Sequence, residues 1–178
     1  MPDVMKLENR PVPIKYRGTF DLNLIYQTWV KWMKSQRMKY HEILYKDKNL
    51  IGDMRETEIT ALGTVKIDEF HKWTVNIFIQ VFDGQPVEII KDGKKKKMTR
   101  GRLYLDIQAT IIRDYQGVYD STPMLQKARG LILKVTKWEE NIPIWDTYYY
   151  KTIKLHGMIR QLLGMDTSAN AWQEVVDG

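Results

Sequence analysis

The chain has 178 residues, no cysteine and a formal net charge of +6 at pH 7. Its length suits one domain with a full hydrophobic core. The lack of cysteine excludes disulfides, thiolate metal sites and a cysteine nucleophile. With 43% hydrophobic and 28% charged residues, the composition is typical of a globular protein rather than a disordered one.

The N-terminal region is polar. It contains no apolar stretch of signal-peptide length, and no run in the chain approaches the ~18 apolar residues of a membrane helix. We therefore expect a cytoplasmic protein, or one in a virion assembled there, without membrane insertion. Residues 1–12 are predicted to form an extended arm.

The next elements are a strand and an amphipathic helix. A strand is predicted over Pro13–Phe20, followed by Asp21 as an N-cap whose carboxylate accepts from free backbone N–H groups. From Leu22 to Arg37 the apolar residues recur at a period close to 3.6 and predict a helix. The apolar positions are Leu22, Ile25, Trp29, Trp32 and Met33.

The middle of the chain changes to a period of two. Strands are predicted over Met38–Lys46 and Arg55–Lys66, and clean alternation marks two more, Trp73–Val81 and Leu103–Ile111. Such alternation is typical of an antiparallel sheet with one face buried. Asp83-Gly84 predicts a turn before a short strand Val87–Ile90.

Asp92-Gly93 predicts a tight hairpin whose return strand begins with a lysine run. Seven cations and one aspartate lie between Lys91 and Arg102, so this stretch alone carries a net charge equal to the +6 of the whole chain. The remaining residues therefore balance to zero.

The C-terminal third returns to helical periodicity. A Ser-Thr-Pro start signal predicts a helix over Pro123–Glu139, which Gly130 weakens by about 1 kcal/mol of propensity. A second helix is predicted from Ile144 to Leu163, with Gly164 as its stop. The predicted fold class is α+β: an antiparallel sheet of four to six strands, with one N-terminal and two C-terminal helices packed on one face. Residues 13–164 form one domain in this interpretation, and residues 165–178 a tail.

Several segments resemble known proteins. The stretch YRGTFDL, a helix with W-x-x-W, the hairpin DGKKKKMTRGRLYLDI and a DYQG…STP turn are similar to uncharacterised small archaeal proteins. The likeness spans roughly residues 15–140 and contains no catalytic motif. It implies a similar fold and nothing about chemistry.

The basic hairpin is the leading candidate site, since several cations presented together favour polyanion binding. The candidate residues are Lys91, Lys94, Lys95, Lys96, Lys97, Arg100 and Arg102. Exposed lysines also protect strand edges from aggregation, and alternation places Lys94 and Lys96 on the face opposite Lys95 and Lys97. Nearby, Phe78 and Tyr104 fit either base stacking or a buried interface.

A second candidate surface is the aromatic run near the C-terminus. Large aromatic side chains are enriched in interface cores, and the candidates are Trp138, Trp145, Tyr148 and Tyr150. The alternative is that Trp145, Tyr149 and Ile153 line the inner face of the helix, with Tyr148 and Tyr150 partly wet.

No standard catalytic, phosphate-loop or dinucleotide motif is present. The three histidines, His41, His71 and His156, lack metal-ligand spacing. We expect no metal and no cofactor, and an enzymatic function is the less favoured hypothesis. Glu56, Glu58 and Asp106 lie on polar strand faces and together would suit a divalent metal or acid–base chemistry. Solvated charges on an exposed sheet face are the favoured interpretation.

We therefore predict a non-enzymatic structural or binding subunit of a homo-oligomer or larger assembly. It docks through the basic hairpin onto nucleic acid or a partner protein. The alternative is a helix-grip-like carrier of a small apolar ligand, with a long helix held by a curved sheet. A weaker alternative is an enzyme that uses the carboxylate cluster.

Overall fold

The structure is a computed structural model that describes residues 6–50, 52–91, 94–117 and 142–165, together with Thr122 and Met124. These residues form six strands and two helices. In chain order they are β1 (Lys6–Asn9), β2 (Ile14–Phe20), α1 (Leu22–Ser35), β3 (Lys39–Asn49), β4 (Arg55–Lys66), β5 (His71–Lys91), β6 (Lys94–Arg113) and α2 (Ile142–Leu162).

The α+β class and the antiparallel sheet are confirmed, but the prediction of three helices is wrong. The described residues form two helices, α1 between β2 and β3 and α2 after β6, and most of the described residues belong to the sheet. The predicted helix Pro123–Glu139 lies outside the described residues apart from Met124.

All strands join one sheet of six strands in the order β1-β6-β5-β4-β3, with β2 also paired to β6. The hairpin of β5 and β6 lies in the middle of this order, and its strands are the longest, with 21 and 20 residues. The N-terminal segment runs antiparallel along the far side of β6: β1 pairs with Ala109–Ile112, and β2 pairs with Thr99–Leu105. Residues 6–9 of the predicted arm therefore belong to the sheet.

Both helices pack on one face of the sheet, which we call the inner face. The inward residues of β5 and β6 alternate as predicted, and Trp73 lies 5.7 Å from Trp32 of α1 and 4.5 Å from Tyr148 of α2 between ring centroids. Trp29 and Trp73 are 0% and 1% exposed. These large side chains fill the space between helices and sheet.

The helix ends follow the local signals. The Asp21 carboxylate accepts a hydrogen bond of 2.9 Å from the Leu24 N–H and so caps α1, as predicted. At the other end of the fold, Gly164 adopts a φ of +65°, and the Met165 N–H donates to the Arg160 carbonyl at 2.9 Å. Only a residue that tolerates the left-handed region closes a helix in this way at little cost.

The predicted turn at Asp83-Gly84 is wrong, because β5 continues through it as a bulge. The register of β5 against β6 shifts between Phe82 and Gln85, and Asp83 has a φ of 53°. Gly101 lies opposite, where a Cβ atom would come within 2.8 Å of the Phe82 carbonyl oxygen. A bulge bends a strand and increases its twist. The outer part of the hairpin, residues 85–91 with 94–100, is therefore a bent extension that we call the hairpin arm.

Candidate polyanion-binding face

The side of the sheet opposite the helices is the outer face, and its corner at β2 and β6 is cationic. Register places Arg17 directly opposite Arg102, Thr19 opposite Arg100, and Lys15 opposite Tyr104. The side chains of Lys15, Arg17, Arg100 and Arg102 are all exposed. We call these four residues the basic strip.

The basic strip unites residues that are distant in sequence. Arg100 and Arg102 belong to the predicted polyanion site, whereas Lys15 and Arg17 come from β2 and were not among its predicted residues. Their inclusion depends on the pairing of β2 with β6, which brings residues about 85 positions apart side by side. The alternation of charge in the sequence around Lys15 and Arg17 is a signal that they face outward, but it carries no information on their strand partner.

Like charges directly opposite each other in a sheet are destabilising, because the Cβ atoms of such a pair lie about 5 Å apart. Arg17 and Arg102 form such a pair. Arg102 is partly compensated by Asp83, whose carboxylate accepts from its guanidinium at 2.5 Å. For Arg17, no ion pair is found among the residues described. The strip therefore retains positive charge that a bound anion would stabilise.

Aromatic rings lie beside these cations. The Arg102 guanidinium carbon is 5.4 Å from the centre of the Phe82 ring, a cation–π distance. The rings of Phe78 and Tyr104 are 6.2 Å apart in an edge arrangement. A shallow cavity of about 310 Å³ opens between β2, β6 and β5, lined by Lys15, Arg17, Phe82, Arg102 and Tyr104 among others.

The lysines of the hairpin arm differ in their surroundings. The Lys96 ammonium forms an ion pair of 3.1 Å with Asp21, the cap residue of α1. Lys95 and Lys97 are exposed, and neither has an ion pair within the described part of the chain. Of the predicted polyanion residues, Lys91 and Lys94 have side chains outside the described set. By alternation along β6, Lys95 and Lys97 lie on the face opposite Arg100 and Arg102, and Lys97 lines the cleft on the inner side. These two available cations therefore lie beside the basic strip rather than on its face.

The predicted carboxylate cluster is not assembled. Asp106 accepts a hydrogen bond of 2.6 Å from Arg10, and Glu56 accepts one of 3.1 Å from Gln80. Glu58 and Asp106 lie on β4 and β6 with β5 between them, and the register places Glu58 level with Tyr104 rather than with Asp106. Two strand spacings and a two-residue offset separate them by about 12 Å. In the described ranges, no group of three or more His, Asp or Glu side chains could hold a metal ion.

A larger cleft of about 640 Å³ lies on the inner side, between the start of α1, β3 and the hairpin arm. At this cleft, the Tyr26 hydroxyl donates to the Glu42 carboxylate at 2.9 Å and lies 3.0 Å from the Tyr40 hydroxyl. The hydrogen bond with Tyr40, partial burial and the Glu42 charge raise the pKa of Tyr26. Burial is the main cause that raises the pKa of Tyr40. The cluster links α1 to the edge strand.

Deprotonation of Tyr26 should therefore destabilise the fold in alkali. The pKa of Tyr26 is higher in the folded chain than the ordinary value of about 10. The stabilisation that protonated Tyr26 gives to the fold is therefore complete below about pH 10, and it is lost as the pH rises from there through the folded pKa. We expect Tyr26→Phe to reduce the fall in urea midpoint between about pH 9 and about pH 11. Tyr150→Phe is the control, since Tyr150 is 63% exposed. Equal falls in the two variants and the wild type would contradict the role of Tyr26.

The aromatic candidates on α2 divide into two groups. Tyr148 packs on Trp73, and Trp145 stacks on Tyr149 at 4.8 Å. Tyr150 is exposed, and Trp138 lies outside the described residues. The buried stripe of α2 is Thr152, Leu155, Ile159 and, just beyond the helix, Leu163. The predicted inner face is confirmed for Trp145, which packs against the core, but it is wrong for Tyr149 and Ile153, because Tyr148 packs there instead.

The three histidines lie on separate elements, as their spacing indicated. His71 Nδ1 is 2.8 Å from the Asp68 carboxylate. Burial acts to raise the pKa of Asp68, but hydrogen bonds from the His71 ring and from the backbone N–H groups of His71 and Phe70 together lower it. His156 Nε2 lies 3.0 Å from the Val12 carbonyl, and burial lowers the pKa of His156. These contacts tie loops to the fold.

Comparison with known proteins adds little. No family model matches the chain, and no curated protein matches it. A solved structure of an uncharacterized protein from Rhizobium leguminosarum is similar with 8% identity and a TM-score of 0.17, covering 91% of this chain and 99% of that one. A likeness this slight carries no argument about fold or function. No helix in the described ranges is long and apolar enough to cross a membrane.

Proposed function

We propose that this protein is a binding subunit that docks onto nucleic acid through the basic strip and the hairpin arm. The observation that carries the proposal is the Arg17–Arg102 pair: two exposed guanidinium groups directly opposite each other on neighbouring strands. Such a pair costs stability in the free protein. Arginine forks match phosphate oxygens in geometry and charge, so a phosphate backbone would offset that cost.

The hairpin arm extends the same surface. β6 runs from the lysine run through Arg100 and Arg102 without interruption, so alternation places Lys96 on the face of Arg100 and Arg102, with Lys95 and Lys97 on the opposite face. A polyanion lying along this face of β6 would meet Arg100 and Arg102 together with Lys15 and Arg17 of β2, rather than an isolated cation. Each phosphate neutralised in this way releases counterions and adds to affinity.

The packing of the interior gives the carrier alternative no support, because Trp29, Trp73 and Leu155 occupy the space that a ligand would need. Membership in a homo-oligomer or larger assembly remains a prediction. So does the cytoplasmic or virion location.

Salt dependence tests the proposal. We expect a labelled oligonucleotide to bind, by fluorescence anisotropy, with a slope of log affinity against log salt between about −3 and about −5, as for four to six phosphate contacts. Replacing Lys94–Lys97 with alanine should flatten this slope. Replacing Lys39, Lys46 and Lys48 of the opposite sheet edge with alanine is the control and should leave it nearly unchanged. Absence of binding, or an arm variant with the wild-type affinity and slope, would refute the proposal.

A further inference from the structure

We infer that the nucleic acid bound by this face is single-stranded, with bases stacked on Phe82 and Tyr104. The inference rests on the proposed function and deepens it by naming the class of nucleic acid. Base stacking requires an aromatic ring with an accessible face next to groups that hold the phosphates. The outer face provides both within one small area.

Register determines the arrangement of these groups. Phe82 lies opposite Arg102, and Tyr104 lies between Lys15 on one side and Gln80 on the other. The two aromatic residues are therefore diagonal neighbours on adjacent strands, about 7 Å apart. Each ring has a cation as a direct neighbour across the strands: Arg102 beside Phe82, and Lys15 beside Tyr104.

The surroundings of each ring favour base contact. Both rings are half-buried on the outer face, so part of each remains accessible. Arg102 lies over one face of the Phe82 ring at 5.4 Å and holds it in place. Tyr104 is supported at its edge by Phe78. The cavity of about 310 Å³ between them is at the lower end of the volumes of ligand pockets.

A duplex fits this surface less well. Its bases are stacked on each other, so their faces are not available to Phe82 or Tyr104, and only phosphate contacts would remain. A single strand can splay its bases onto the rings while its phosphates meet Arg17 and Lys15. Stacking depends little on base identity, so we expect weak sequence preference.

The test compares a single-stranded oligothymidylate with a duplex of the same length, both labelled, in the same buffer with the full chain. We expect the single strand to bind at least tenfold more tightly. The double variant Phe82→Leu/Tyr104→Leu should weaken single-strand binding by about 10- to 100-fold and leave the salt slope unchanged. Tyr150→Leu, an exposed aromatic residue on α2, is the control.

Tyr104→Phe keeps the ring and should bind the single strand as the wild type does, which separates loss of stacking from loss of folding. Equal or tighter binding of the duplex, or full affinity in the Phe82→Leu/Tyr104→Leu variant, would overturn the inference while the proposed polyanion role stands. Failure of both oligonucleotides to bind would overturn the proposed function, and the inference with it.

Discussion

Replacing Trp73 with alanine should lower the free energy of unfolding by about 3–5 kcal/mol. Trp73 is 1% exposed and lies in contact with both helices, at 5.7 Å from Trp32 and 4.5 Å from Tyr148 between ring centroids. Removing the indole would leave a cavity at the point where α1, α2 and the sheet meet. Rigid secondary structure on all three sides limits how far that cavity can collapse.

Urea unfolding followed by circular dichroism measures this loss. Tyr150→Ala is the matched control, since it removes an aromatic side chain that is 63% exposed. It should change stability by less than about 0.5 kcal/mol. A Trp73→Ala variant as stable as the Tyr150→Ala variant would show that α2 does not pack on the sheet at Trp73.

The second large effect concerns affinity. We expect the triple variant Lys15→Gln/Arg17→Gln/Arg100→Gln to bind oligonucleotide roughly a hundredfold more weakly at 0.1 M salt. Each lost phosphate contact reduces the salt slope by about 0.7 for a single strand, so three contacts reduce it by about 2. Over the tenfold range between 0.1 M and 1 M salt, that change in slope corresponds to about two orders of magnitude.

The matched control removes the same charge from the other edge of the sheet. Lys39, Lys46 and Lys48 of β3 are all exposed, and their replacement with glutamine leaves the net charge equal to that of the triple variant. If general attraction by net charge explained binding, both variants would lose affinity equally. We expect the β3 variant to lose much less, because its lysines lie away from the strip.

The sequence predicts the elements well where a local pattern determines them. Alternation from Trp73 to Val81 and from Leu103 to Ile111 predicts the inner faces of β5 and β6, and those residues are buried. The cap at Asp21 depends on contacts within one turn, and it is confirmed. The helix over Leu22–Ser35 follows from a 3.6 period and is also found.

Non-local features could not be predicted from the same patterns. The pairing of β2 with β6 creates the Arg17–Arg102 pair, yet nothing in the sequence around Arg17 identifies its partner strand. The ion pair of Lys96 with Asp21 depends on the same pairing, which brings the start of α1 beside the arm. The sequence predicts the lysine run as a uniform cationic group, whereas the fold neutralises some of its charges and adds others from β2.

The bulge at Asp83 is a further feature that the local sequence did not predict. Asp-Gly is a strong turn signal in isolation, but here the strand pairing on both sides continues through it. The space opposite is kept free by Gly101, whose close approach to the Phe82 carbonyl is visible only in the fold. The turn propensity of Asp-Gly is overridden here, because continued pairing along the long hairpin forms more hydrogen bonds than a turn would.

The most direct test of the binding face is a residue-resolved NMR titration of the 21.1 kDa chain with a short single-stranded oligonucleotide. We expect the amide shifts to concentrate on β2 and β6 around Arg17 and Arg102, and to continue into the hairpin arm. Shifts centred on β3 or on the helices, or none at saturating oligonucleotide, would contradict the assignment of this face as the nucleic-acid site.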